Sequence, residues 1–329
     1  MAAGEIGGYL ELEDCGGRPY HEGAVALDSA RSCLEYLIEL RGIRAIALPD
    51  LMCDAVPAAC ARAGAEIRTY EVGEGLLPKY DFDLRPGEWL YLADYYGRLE
   101  RADVEAAASF ARGRVVVDEV QGFFRGPWPG ADTIYTCRKF FGVPDGAYLA
   151  TRDGSRLGRG LPTCRSAGRM AHVLGRCEDG GSRHYGEYQT VEGTIGANGP
   201  EAMSEVTRRL LSGIDYEATR RRREENYATL GRLLGEASLL EPASPAGPYM
   251  YPLLVADAGD ARRELARRGV FVPTLWPNVV EECPSDSFAW RYARNILPLP
   301  VDQRYGAADM ERVAGEVASV LSLGERNQA

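Results

Sequence analysis

Apolar residues recur along this chain with two alternating spacings. Between residues 29 and 40 (SARSCLEYLIEL), Cys33, Leu34, Leu37 and Ile38 fall on one face of a 3.6-residue turn, which predicts an amphipathic helix. Residues 44–48 are a short apolar run closed by Pro49 and predict a strand. The alternation continues with a helix over 54–63, a strand over 89–93 and a helix over 103–111. Val115, Val116 and Val117 form an unbroken apolar strand that ends on Asp118, as a strand covered on both faces requires. Two more strands are expected at 133–136 and 147–151. Strands interleaved with helices predict an α/β fold, a mostly parallel sheet with helices on both faces. Ligands of such sheets sit beyond the carboxyl ends of the strands.

The periodicity weakens over 157–198, which is rich in Gly and Arg. Long loops with broken helix are expected there, of the kind that form lids or binding segments. Residues 203–234 read as one long helical region, with the arginine run Arg220 to Arg223 on a solvated face. From about residue 236 the pattern restarts, with a strand over 251–255, a helix over 261–268, a strand over 270–272 and a terminal helix over 306–321. The expected division is a large domain, 1–235, and a smaller C-terminal α/β domain, 236–329.

Composition narrows the function classes. The 329 residues are 45% hydrophobic, enough for a sizeable core. A net charge of -10 argues against a nucleic-acid partner, whose phosphates need a basic face. No apolar run of about 18 residues is present to cross a membrane. The opening MAAGEIGGYL lacks the basic start and apolar core of a secretory leader. The eight cysteines form no CxxC pair and stand apart from His21, His172 and His184, so no metal site is expected. Scattered reduced thiols in a cytoplasmic protein are the simple reading. Among 38 Lys and Arg residues, only Lys79 and Lys139 are lysine. A lysine kept against that bias stands there either by chance or because only a primary amine serves. Arginine neither forms a Schiff base nor deprotonates near neutral pH.

Three segments carry candidate chemistry. Asp118-Glu119-Val120-Gln121 places an acid at the tip of a buried strand, where it meets a cation or lines a site, or is merely salt-bridged. Lys139 follows Thr136-Cys137-Arg138 and precedes Phe140-Phe141-Gly142-Val143. Those residues could wall its amine from water and lower its pKa; otherwise Lys139 is an exposed loop residue. Lys79, in the polar turn LLPKYDF, has no such wall. Asp28-Ser29-Ala30-Arg31-Ser32 opens the first helix, and its N–H groups suit a phosphate or simply an ordinary N-cap. There is no GxSxG elbow, P-loop, HExxH or GxGxxG after a strand.

Together these segments resemble the pyridoxal-phosphate (PLP) dependent, fold-type-I sugar aminotransferases of the DegT/DnrJ type, over nearly the whole chain. The motifs that carry the resemblance are DEVQGFF, GADTIYTCRKFFGVPDGAYL, the turn Ser29-Ala30-Arg31, Tyr95 to Gly97, and LPLPVDQRY from Leu297. The resemblance implies that Lys139 holds PLP as the Schiff-base lysine and that Asp118 pairs with its pyridine nitrogen. It places Gln121 beside the ring, and Thr136, Ser29, Ala30 and Arg31 around the phosphate. It further implies a homodimer and a small-molecule substrate, such as a keto-sugar nucleotide that receives an amino group. Arg165, Arg169, Arg183 and Arg304 are candidates for holding anionic substrate groups. The family's Asn-x-Arg-Met is absent, Met203 being preceded by Asn198-Gly199-Pro200-Glu201-Ala202. The stretch Asp50-Leu51-Met52-Cys53 lacks the aromatic that often stacks on the ring. Another PLP reaction, such as elimination or dehydration, and a non-catalytic binding protein on the same scaffold are the alternatives.

Overall fold

The valine strand lies at the centre of a seven-stranded sheet in the computed structural model, which describes residues 6 and 8–326. The chain runs β1 (Val25–Leu27), α1 (Ala30–Arg41), β2 (Ala45–Pro49), α2 (Ala55–Arg62), β3 (Glu66–Tyr70), β4 (Trp89–Ala93), α3 (Arg101–Phe110), β5 (Val115–Asp118), β6 (Asp132–Thr136) and β7 (Ala147–Ala150). The strand order is β1-β7-β6-β5-β4-β2-β3. Strands β2 to β6 are parallel, and β7 runs antiparallel to both β6 and β1. The expected mostly parallel sheet is present.

Alternate residues of the central strands enter different cores, which is why these strands are apolar throughout. Ile46, Tyr91, Val116 and Ile134 pack with Cys33, Leu34 and Leu37 of α1 and Ala59 and Cys60 of α2. Ala47, Leu90, Leu92, Val115 and Val117 pack on the other face with Val104 and Ala107 of α3. Helix α1 is capped by Ser29, whose side chain accepts from the N–H of Ser32, and is closed by Gly42 at φ 62°.

Beyond the sheet come α4 (Ala171–Asp179), α5 (Tyr185–Thr194), α6 (Glu205–Ser212) and α7 (Tyr216–Leu234). The helical region expected over 203–234 is two helices, because Asp215 accepts from the N–H of Ala218 and starts α7 afresh. The C-terminal part holds β8 (Met250–Leu254), α8 (Ala261–Arg267), α9 (Pro277–Glu282), α10 (Phe288–Asn295), β9 (Ile296–Pro300) and α11 (Ala307–Arg326). β8 and β9 form an antiparallel pair, with Tyr227, Leu230 and Leu234 of α7 in the core beneath them.

Two expectations fail here. Residues 270–272 are not a strand; Val270 and Val272 are buried in the C-terminal core without pairing. The actual partner of β8 is β9, whose Pro298 and Pro300 hide a strand pattern in the sequence. Arg223 is also not on a solvated face. It is 1% exposed and faces the junction with the C-terminal part. No described helix is long and apolar enough to cross a membrane, and no metal-ligating cluster occurs among the described residues. All eight cysteines are free.

Candidate active site

Strands β4, β5 and β6 end side by side on Ala93, Asp118 and Thr136, and a cleft of about 990 Å3 opens beyond them. Its opposite wall is Tyr249, Met250, residues 273–276 and residues 302–304. Ser29, Ala30, Arg31, Asp118, Gln121, Thr136 and Lys139, which are scattered over more than a hundred residues of sequence, all line this one cleft.

Asp118 is 5% exposed. Its Oδ2 accepts from the hydroxyl of Tyr91 at 2.7 Å and its Oδ1 from the N–H of Val120 at 2.8 Å. Burial raises its pKa, while Lys139 and these two bonds pull it back. A cation placed against this carboxylate would relieve a desolvation already incurred by the fold. Gln121 accepts from the N–H of Tyr96 at 2.7 Å, which commits its carbonyl end and leaves its NH2 group as the donor. Tyr96 can hold that N–H in place because it sits in the left-handed region at φ 63°.

The two lysines differ in the way the chemistry requires. Lys79 is an exposed cation between Glu71 at 3.1 Å and Asp81 at 3.0 Å, and those partners raise its pKa. Lys139 has no ion-pair partner among the described residues; its Nζ lies 5.5 Å from the centre of the Tyr249 ring. The expected wall around its amine is absent. Phe140, Phe141 and Val143 pack with Phe123, Phe124 and Tyr148 and reach the edge of the cleft without covering the lysine, which stands exposed in it. The aromatic run anchors the loop that carries the amine rather than shielding the amine itself.

The turn at Ser29 to Arg31 is both an N-cap and an open cradle. Gly196 faces it, and a Cβ there would lie 2.9 Å from Ser29 Oγ and 3.3 Å from Arg31 Cβ. Arg31 donates weakly to the carbonyl of Glu192, 3.5 Å away, and the Glu192 carboxylate pairs with Arg138. Burial pushes the Arg31 guanidinium below its ordinary pKa and Glu192 pulls it back. The mouth of the cleft thus carries two arginines and one glutamate from α5, a local positive excess on an acidic chain.

Some expected residues lie elsewhere. Arg165, Arg169 and Arg183 do not line the cleft, and Arg183 pairs with Asp179 at 3.6 Å. The loop arginine that reaches the cleft is Arg176, one helical turn from His172 on α4. Arg304 is there, paired with Asp302 at 2.7 Å. Sequence reasoning missed Tyr91, Tyr249 and Trp276, because nothing local marks a strand tyrosine or a distant loop as facing the same space. Met52 and Cys53, from the stretch that lacks the stacking aromatic, line the cleft. The segment LPLPVDQRY brings Asp302, Gln303 and Arg304 to the cleft.

No protein-family model matches this chain, and no curated protein matches it in sequence. Solved structures do match. The aminotransferase TlmJ from Streptoalloteichus hindustanus is 21% identical over 94% of this chain and 92% of its own, with a TM-score of 0.64. The sugar aminotransferase CalS13 from Micromonospora echinospora is 17% identical over 90% of this chain and 87% of its own, with a TM-score of 0.63. NtdA from Bacillus subtilis, solved with bound cofactor PMP, is 14% identical over 93% of this chain and 78% of its own, with a TM-score of 0.63. The chain therefore has the fold of these aminotransferases along almost its whole length.

Proposed function

We propose that the chain is a PLP-dependent aminotransferase that passes an amino group from an amino-acid donor to a small polar carbonyl substrate, a keto-sugar nucleotide being the substrate class we favour. One observation carries the reading. The primary amine of Lys139, the buried carboxylate of Asp118 and the open helix N-terminus at Ser29 to Arg31 converge in a single cleft, on a fold that solved aminotransferases share. The residues fit the cofactor. A side chain at Gly196 would crowd Ser29 and Arg31, so the glycine keeps the cradle clear. The helix N–H groups, Arg31 and the Thr136 hydroxyl supply its donors. Asp118 meets the requirement for an acid against a ring nitrogen, and Gln121 supplies a donor for the ring oxygen.

When bound, PLP supplies the electron sink that makes loss of a proton from the donor Cα feasible. The chain supplies the rest. Asp118 holds a proton on the ring nitrogen by opposite charge. Lys139 holds the cofactor through its amine. With PLP bound there, the Lys139 Nζ would be the group placed to take the Cα proton of the donor and to give a proton back. Arg176 and Arg304 are positioned to hold anionic groups of the substrates. A homodimer belongs to this reading through the family resemblance, and a cytoplasmic location through the scattered free thiols.

The test is the visible absorption spectrum of the purified protein, before and after borohydride, with peptide mapping. A yellow band that reduction fixes onto Lys139 supports the reading, and consumption of an amino donor then separates transamination from elimination. A protein that stays colourless with added PLP overturns it.

A further inference from the structure

Arg223 is a fully buried cation without an ion-pair partner among the described residues. Leaving a guanidinium in that state is expensive, so its hydrogen bonds show what it holds. Its Nη2 donates to the carbonyl of Phe140 at 3.2 Å, its Nη1 to the carbonyl of Pro248 at 2.9 Å, and its Nε to Gln303 Oε1 at 2.8 Å. Gln303 Nε2 in turn donates to the same Phe140 carbonyl at 2.8 Å. Both lone pairs of that carbonyl are therefore taken by side chains from α7 and the turn after β9. The guanidinium also lies 4.7 Å from the centre of the Phe140 ring. A longer contact, 3.5 Å, reaches the carbonyl of Tyr249, whose ring lies against the Lys139 amine.

The far end of the same loop is fixed separately. The Asp145 carboxylate accepts from Ser166 Oγ at 3.2 Å, from Ser204 Oγ at 2.7 Å and N at 2.8 Å, and from Thr207 Oγ1. Those anchors stay beside α6, whereas Arg223 and Gln303 reach across from the C-terminal part. Lys139 adjoins the clamped peptide, and its amine is otherwise exposed.

We propose that Arg223, seconded by Gln303, is a positioning residue: by clamping the Phe140 carbonyl and the Pro248–Tyr249 backbone together, it aims the Lys139 amine into the cleft. The proposal rests on the cofactor reading above. Condensation of that amine with an aldehyde forms one C=N bond and releases one water. It needs the amine at bonding distance and angle, whereas non-covalent binding of the cofactor's ring and phosphate does not. Loss of the clamp should therefore separate the two.

The experiment compares wild type, Arg223→Met, Arg223→Lys and Gln303→Leu, each as the full chain stripped of cofactor. Affinity for pyridoxine 5'-phosphate, which carries an alcohol in place of the aldehyde, reports binding alone. The rate at which PLP becomes borohydride-fixable on Lys139 reports aiming. R223M is expected to slow the covalent step about 10-fold or more and to leave pyridoxine 5'-phosphate affinity within about twofold, the scale on which small misplacements act. R223K restores part of the rate, and Q303L shifts it in the same direction by less. Amide exchange over residues 138–145 should quicken in the cofactor-free variants. If R223M does not fold, Q303L carries the comparison. Parallel losses in both assays would make Arg223 a merely structural residue and overturn the proposal, as would unchanged rates in R223M and Q303L. A wild type that never forms the link overturns the cofactor reading itself, which the variant-to-wild-type ratio does not address.

Discussion

The Tyr91 hydroxyl on β4 donates to the Asp118 carboxylate on β5, 2.7 Å across neighbouring strands. The acid is thus oriented by a side chain of the neighbouring strand, which itself lies at the floor of the cleft. Asp118→Asn keeps an acceptor for that bond and removes the charge. Cofactor-free D118N should melt at or slightly above the wild-type temperature, by about 1–3 °C, because an expensive buried charge is gone. Its transamination rate should fall about 10²- to 10⁴-fold, the usual size of a lost proton-handling contribution. Calorimetry and a donor assay check the two halves, and unchanged turnover would remove Asp118 from the mechanism.

Lys139→Ala should abolish borohydride-fixable cofactor, whereas Lys79→Ala should change neither cofactor content nor turnover. The Lys79 pairs with Glu71 and Asp81 are exposed, and such pairs contribute little to stability. Mass mapping after reduction distinguishes the two positions, and label on Lys79 would contradict the assignment.

His21 gives the protein an acid-sensitive point outside the cleft. It is buried, stacked on Tyr135 at 3.7 Å and bonded to the Phe123 carbonyl at 2.8 Å. Burial pushes its pKa from 6.5 down to about 4, with the Phe123 carbonyl opposing. The neutral ring is the folded form, so its contribution is complete above pH 6.5 and is lost as pH falls from 6.5 to 4. That loss amounts to about 3 kcal/mol at 1.36 kcal/mol per pKa unit. Urea unfolding across this window should show a shallower pH slope in His21→Phe than in wild type, even if the variant is less stable at pH 7.

Behind the site, Oδ2 of Asp94 and Oε2 of Glu119 lie buried with no other hydrogen-bond partner among the described residues. Burial raises both pKa values, and each acid acts on the other, with Arg125 opposing. One proton held between the two carboxyls satisfies both. A raised carboxyl pKa means stability that is present at low pH and lost as pH climbs from the ordinary carboxylate range toward the folded value. Glu119→Gln should therefore flatten the decline in stability above about pH 5. Denaturant melts from pH 5 to 9 test this, and a slope equal to wild type would refute the shared proton.

Much of the site was legible because its residues sit where strands end. The valine run announced β5, and its terminal acid followed from the rule that sheet ligands lie beyond carboxyl ends. Lys139 stood out because arginine had displaced lysine nearly everywhere else. β9 was hidden by Pro298 and Pro300, which an edge strand tolerates but a propensity pattern does not reveal. Tyr91 was hidden because a buried strand tyrosine reads as core. Arg223 was misjudged because the run around it is solvated on its other sides: Arg221 and Arg222 pair with Glu225 at the surface. Side chains one residue apart on a helix diverge by about 100°, and composition does not say which one turns inward.

The short strand β1 has a consequence for how the molecule is made. It pairs with β7, some 120 residues later in the chain, and the Asp28 N–H and Ala26 carbonyl bond to Glu201 and Met203, later still. The cradle at Ser29 to Arg31 follows β1 directly. During synthesis this segment waits without its full set of partners until the chain as far as Met203 has left the ribosome. Contacts so distant in sequence form slowly. The ligand cradle is encoded well before the segments that complete it and the opposite wall of the cleft, so a nascent chain has no finished site to fill, and ligand capture belongs to the completed molecule.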